Sequence, residues 1–271
     1  MTARGVSERA ACRAVGVSRA SQRYQPRHQG ARRGLVAKVV ALAQQHRRYG
    51  YRRITALLRR RGERVNHKRV WAIWREERLS LPRRRPRKRQ RQTAVERPTL
   101  ATHRNHVWTY DFLFDRTERG QTLKLLTVLD EYTRECHAIR VGRRLDSAAV
   151  LDTLADLFGR HGAPAYLRSD NGGEFIAARL EAWLARQGTA TAHIAPGHPW
   201  ENGYAESFNG KFRDECLNEE VFWHERQAQV VVERWRQHYN EERPHSALGF
   251  RTPAEVAATA PAGAVGEAAL A

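Results

Sequence analysis

Apolar residues recur at helical spacing three times in the first third of the chain. Leu35, Val36, Val39, Val40 and Leu42 form one stripe, Ile54, Leu57 and Leu58 a second, and Val70, Ile73 and Trp74 a third. Asn66 stands where the third helix needs an N-cap, and RGERVN supplies the turn between the last two stripes. The pattern predicts a three-helix module over residues 31–80, with these apolar positions, Trp74 included, as its core. Ahead of it, Ser7 to Tyr24 reads as two short helices around a Gly-Val-Ser turn with Ser18 as N-cap, the outline of a helix-turn-helix-like segment over residues 1–30.

From Val107 the pattern changes period. VWTYDFLF, TLKLLTVLD and CHAIRVG are compact apolar or alternating runs that predict three successive strands, followed by a helix over SAAVLDTLADLFGRHG. AYLRSD predicts a strand, FIAARLEAWLARQG a helix, and TAHIAP a last strand before a helical pattern in ENGYAESFNGKFRDE. Three strands followed by helix–strand alternation predict a mixed α/β body over residues 98–257, with a small-residue-rich tail over 258–271.

Charge divides the chain along the same line. The net charge is +19, but Met1 to Asn105 carries 30 basic against 5 acidic residues and the remainder 18 against 24. A basic front on a mildly acidic rear predicts a grip for a polyanion attached to a catalytic body. Between them RRRPRKRQR, which includes Arg83, Arg84 and Arg85, has seven basic residues in nine, and residues 81–97 are read as a linker that tracks phosphates without reading bases. Cys12, Cys136 and Cys216 show no paired spacing, so neither a disulfide framework nor a zinc module is expected, even with His103 and His106 close together. No apolar run approaches the roughly 20 residues of a membrane span, and a cytoplasmic, nucleoid-associated protein without a membrane partner is expected.

Three carboxylates stand out against this pattern. Asp111 interrupts an apolar strand, Asp170 ends another just before the turn residues Asn171, Gly172 and Gly173, and Glu206 lies on a helix. An isolated buried carboxylate must be protonated, paired or metal-bound, and converging carboxylates are relieved by a hard divalent cation. Asn202, Glu206, Asn209 and Arg213 recur at intervals of four, three and four and so share a helix face. Asp130 is read as a strand-end turn residue, Glu174 as a helix-start charge, and Tyr110 and Tyr204 as packing residues rather than nucleophiles.

The strings WTYDF (108–112), LRSDNGGEF (167–175), HPWENGYAESFNGKFRDECLN (198–218) and YNEERPHSALGFRTPAEV (239–256) closely resemble the integrase-core transposases of bacterial insertion sequences, the IS-three family, second reading frame, kin to retroviral integrases. RRYGYRRI (47–54) and NHKRVWAIWREERL (66–79) extend the resemblance over nearly the whole chain. It implies an α/β ribonuclease-H-like integrase core, a mixed sheet flanked by helices, preceded by an all-α helix-turn-helix region. It further implies a DDE site in which Asp111, Asp170 and Glu206 are both catalytic residues and ligands of two Mg2+ ions, with Mn2+ as a substitute. The reaction it implies is DNA cleavage and strand transfer by phosphoryl transfer.

By the same resemblance, Arg213, seven residues after the glutamate, holds DNA near the metals, with Lys211 as its neighbour. Lys68 and Arg69 sit at the start of the third helix of the front module, where base edges are met, and Arg52 and Arg53 suit phosphate contacts. The expected partners are double-stranded DNA, as element ends and target, other copies of the chain on that DNA, and an upstream-frame product or a frameshift fusion to it. The competing expectation is a DNA-binding, catalytically incompetent transposase fragment acting as a competitor. A nuclease of the same fold, needing no terminal repeats, is a third; inverted repeats flanking the gene separate it from a transposase.

Overall fold

The computed structural model describes residues 7–23, 29–80, 100–169, 178–193 and 203–261. The chain divides into two compact units, residues 1–81 and 82–271.

In the first unit, α1 (Glu8–Val15) and α2 (Arg19–Arg23) form the short pair. Ser7 caps α1 by accepting from the Ala10 N–H, and Ser18 Oγ accepts from the Ser21 N–H at 3.0 Å, as the Gly-Val-Ser turn predicts. Three further helices follow: α3 (Gln29–Gln45), α4 (Tyr51–Arg60) and α5 (His67–Glu76). Their apolar stripes meet in one core of Leu35, Val39, Leu42, Ile54, Leu58, Val70, Ile73 and Trp74, closed by Tyr49 and Val65. Asn66 caps α5 by accepting from the Lys68 N–H at 2.9 Å.

The second unit is built on five strands: β1 (Val107–Arg116), β2 (Thr122–Asp130), β3 (Cys136–Gly142), β4 (Tyr166–Ser169) and β5 (Ala190–His193), in the order β3-β2-β1-β4-β5. The first three run antiparallel, and β4 and β5 join parallel to β1. β1 is therefore central and covered on both faces, which is why its sequence is almost continuously apolar. On one face Trp108, Tyr110, Leu126, Val128 and Leu167 pack with the buried residues of α6 (Ser147–His161) and α7 (Ala178–Arg186). On the other, Leu113, Leu125, Leu129, Ile139 and Val141 pack with Phe208 and Phe212 of α8 (Gly203–Phe212) and Trp235 and Tyr239 of α9 (Glu225–Glu241). Asp111, two residues from Leu113, belongs to this second face, beneath α8.

The motif at 239–256 closes this layer. Arg243 is 1 % exposed and gives both Nε and Nη2 to the Glu215 carboxylate, each at 2.6 Å. His245 is buried edge-on to Tyr239, with its Nε2 3.2 Å from the Tyr239 carbonyl. Thr252 and Glu255 then form a reciprocal capping box, with Pro253 at the first position of α10 (Pro253–Thr259).

Candidate active site

Asp111 projects from the middle of β1 opposite Thr127 of β2 and is half-buried. Its Oδ1 accepts from the Phe112 N–H at 2.7 Å and its Oδ2 from the Asn209 amide nitrogen at 2.6 Å. The Thr127 hydroxyl donates to the Asp111 carbonyl at 3.2 Å and lies 3.4 Å from Asn209 Oδ1, so strand, neighbouring strand and helix meet in one small network. Both donors favour the ionised carboxylate and fix its plane.

Glu206 sits one turn before Asn209 on the same face of α8, exposed to solvent. One turn further on, α8 passes into a π-helical turn (Arg213–Leu217), and Arg213 Nη2 donates to the Phe114 carbonyl at 3.1 Å. The face that the spacing predicts is thus laid along β1, with Asn209 on Asp111 and Arg213 three residues further along the strand. Asn209, not singled out as a site residue by sequence, is the side chain that joins helix to strand; its interval from Glu206 carried the signal.

Asp170 lies outside the described residues, as do Asn202, Glu174, Arg83, Arg84 and Arg85. The described part of β4 ends at Ser169, whose side chain is hydrogen-bonded to Tyr110, and burial raises the Tyr110 phenol above its ordinary range. Tyr110 is 4 % exposed, a packing residue as its apolar strand predicts. Among the described residues, which hold two of the three carboxylates, no group of three His, Cys, Asp or Glu is arranged to hold a metal.

Asp130 has a different task. Its Oδ2 accepts from the Asn105 N–H at 2.7 Å and its Oδ1 from the Tyr132 and Thr133 N–H groups at 2.8 Å each, which makes it the turn residue its position predicts. Next to it, Glu131 is buried, 3.4 Å from Arg168 Nε, and desolvation lifts its carboxyl to about 7 against the pull of Arg168 and Arg134.

In the first unit the outer face of α5 carries Lys68 and Arg69, both exposed, together with Trp71, 44 % exposed, and Arg75, whose guanidinium lies 5.0 Å from the Trp71 ring. Trp71 escaped sequence reasoning because it is one of two tryptophans on one helix, and only burial separates it from Trp74. Arg52 is exposed and donates to the Tyr51 hydroxyl at 3.2 Å, whereas Arg53 is half-buried over the Tyr49 ring. Lys211 donates to Ser207 Oγ at 2.7 Å on the flank of α8 away from Asp111.

A five-stranded mixed sheet with helices on both faces and an acidic residue on its central strand is the architecture of an integrase core. Family models agree: an HTH-like domain matches residues 31–87, and integrase core domains match residues 101–199 and 187–253. The insertion element IS407 uncharacterized 31.7 kDa protein of Burkholderia multivorans is 43% identical over 255 residues, 93% of this chain and 91% of that one. The transposase InsD for insertion element IS2A/D/F/H/I/K of Escherichia coli is 30% identical over 220 residues, 76% of this chain and 72% of that one. In fold alone, the chain is similar to one in a simian T-cell lymphotropic virus intasome solved in complex with PP2A regulatory subunit B56 gamma, with a TM-score of 0.51 at 14% identity over 81% of this chain and 74% of that one. The chain belongs to the integrase-core transposases of insertion elements, the IS-three family, second reading frame.

Proposed function

We propose that the chain is a DDE transposase that cuts DNA at the ends of its element and joins the freed 3′-hydroxyl to a target phosphodiester, with Asp111, Asp170 and Glu206 as the working carboxylates. The observation that carries this is the Asn209–Asp111 bond, because it brings the face of α8 that bears Glu206 over the central strand. Further support comes from the parallel register: Thr109 pairs with Arg168, and Ser169 already meets Tyr110, one residue short of both aspartates.

The donor set is carboxylate oxygen throughout, which fits a hard divalent cation. Mg2+, or Mn2+ in its place, held by Asp111, Asp170 and Glu206, supplies Lewis-acid stabilisation of the oxygens entering and leaving phosphorus. The protein's own part is to orient those carboxylates before DNA arrives. Asn209 and the Phe112 N–H do this for Asp111, and Thr127 fixes Asn209 in turn. Glu206, exposed, is the member that DNA reaches directly. No serine, cysteine or tyrosine nucleophile is required.

The DNA itself is gripped elsewhere. Lys68, Arg69, Trp71 and Arg75 on α5 present a recognition face to element ends, Arg52 contacts phosphates, and the linker with Arg83, Arg84 and Arg85 follows the backbone. Arg213 and Lys211 extend the grip onto α8. Cleavage and joining at two ends call for more than one copy on the DNA, either alone or joined to an upstream-frame product. The setting is the cytoplasmic nucleoid; among the described residues no helix is long and apolar enough to cross a membrane.

Asp111→Asn and Asp170→Asn test the assignment. End cleavage by either variant falls to background while its binding to an element-end duplex stays within about threefold of wild type, since an isosteric amide leaves the grip in place. Cleavage at the wild-type rate by either one would remove that residue from the site.

A further inference from the structure

Behind α8 lies a second feature that the carboxylate site does not use. A cavity of about 390 Å³ opens between α8, the C-terminal end of α9 and the end of β2, and its lining includes Asp130, Arg134, Arg168, Tyr204, Lys211 and His245. Tyr204, Ser207 and Lys211 recur at three and four residues on α8, the flank opposite Glu206 and Asn209. Three cationic side chains, Arg134, Arg168 and Lys211, meet there beside Asp130, which already accepts three backbone N–H bonds, and Glu131, whose carboxylate lies 3.4 Å from Arg168 Nε.

Arg134 is the telling member. It adopts φ 65°, a left-handed conformation seldom taken by a long side chain, and its guanidinium is stacked 3.7 Å from the Tyr204 ring centroid. Its Nη1 is buried and has no hydrogen-bond partner among the described residues. A buried guanidinium nitrogen without an acceptor is costly, and the strained backbone and the stacked ring both hold it in place. Phosphate oxygens are acceptors that match an arginine fork.

We infer that this cavity is a phosphate-binding site, with Arg134 as the fork and Lys211 as a supporting charge. The phosphate is either a phosphodiester of the DNA backbone passing behind α8, an arm that rests on the transposase reading, or a free inorganic anion. Either ligand would brace the helix that carries Glu206 from its far side.

The test uses the full chain and two probes, a labelled element-end duplex titrated across salt concentrations and millimolar inorganic phosphate at constant ionic strength. In the first arm Arg134→Gln lowers the slope of log affinity against log salt by about 0.9, the value for one phosphate contact. Arg119→Gln, an exposed change in the β1–β2 turn, leaves the slope as it was. In the second, inorganic phosphate raises the melting midpoint of wild type but not of Arg134→Gln. A slope change confined to Arg134→Gln assigns the site to DNA, and a midpoint shift alone assigns it to a free anion. Should Arg134→Gln fail to fold, Lys211→Gln, at a half-exposed position, replaces it in the phosphate arm, which the DNA grip of Lys211 does not enter. The inference is overturned if neither arm responds, or if Arg119→Gln loses as much slope as Arg134→Gln. The phosphate arm needs no DNA, so a wild type that binds phosphate but no duplex leaves the cavity assignment standing whatever becomes of the transposase reading.

Discussion

Asn209 shows how much one side chain decides at this site. Its amide donates to Asp111 at 2.6 Å, and a hydrogen bond to a charged group contributes about 1.5–3 kcal/mol, so Asn209→Ala is expected to lower the rate of end cleavage by roughly 10- to 100-fold. Duplex affinity should be unchanged, because the residue touches Asp111 rather than DNA; an unaltered cleavage rate would mean that the bond positions nothing. Asn209→Asp sets a second carboxylate against Asp111 and should shift the pH–rate profile to higher pH. Trp71 carries the corresponding prediction for recognition. Exposed and stacked with Arg75 on the helix assigned to base contacts, it offers an apolar surface that can meet a thymine methyl in the major groove, so Trp71→Ala should weaken binding to the element end more than binding to random duplex. Equal losses on both duplexes would make it a non-specific contact.

At the scale of elements, the layer of α8 and α9 depends on a pair that joins distant segments. Arg243 and Glu215 are both deeply placed and bonded twice, and removing one partner of such a pair leaves an uncompensated buried charge. Arg243→Met should cost about 3–5 kcal/mol in urea unfolding, and adding Glu215→Leu should restore most of it. No recovery in the double variant would show that the arginine acts by something other than this pair. Arg243 and His245 therefore close the core, while Thr252, Pro253 and Glu255 spell a helix start that can be read directly from T-P-A-E. The strands and the caps Ser18 and Asn66 were legible because they depend on local alternation and on residues one turn apart. The apolar positions Ala228, Val232, Trp235 and Tyr239 of α9 carry a helical period as plain as those of α3, yet that helix was passed over beside the more conspicuous motif that follows it. What could not be read was which strand the Glu206 face meets, since the Asn209–Asp111 bond spans 98 residues and exists only once the sheet order is known.

For the whole molecule, charge and acidity give separate tests. If residues 83–91 track phosphates, replacing their seven basic residues by serine should reduce the salt slope of DNA binding by up to about six, at 0.9 per contact, and should do so equally for element-end and random duplex. The buried histidine His137 sets the response to acid. It stacks on Trp108 and His161, neither ring nitrogen has a hydrogen-bond partner among the described residues, and burial drives it well below its ordinary value. Below pH about 6.5 the unfolded chain binds a proton there that the folded chain refuses, so His137 withdraws stability as pH falls. Glu131 opposes it: raised to about 7, it takes up a proton in the folded state first and adds stability as pH falls from 7 towards 4.5. His137→Phe removes only the first effect, and its urea midpoint should gain on wild type between pH 7.5 and 5.5 by the equivalent of about 1.4 kcal/mol. A constant difference across that interval would mean that His137 is not held neutral.

The most direct test of the transposase assignment is Mg2+-dependent cleavage and joining of a labelled element-end duplex by wild type and Glu206→Gln, side by side. Wild type should nick the end and join it to target while Glu206→Gln binds the same duplex and does neither. A variant as active as wild type would contradict the carboxylate site, and duplex binding by both with cleavage by neither would mark this chain, without an upstream-frame partner, as a DNA-binding fragment.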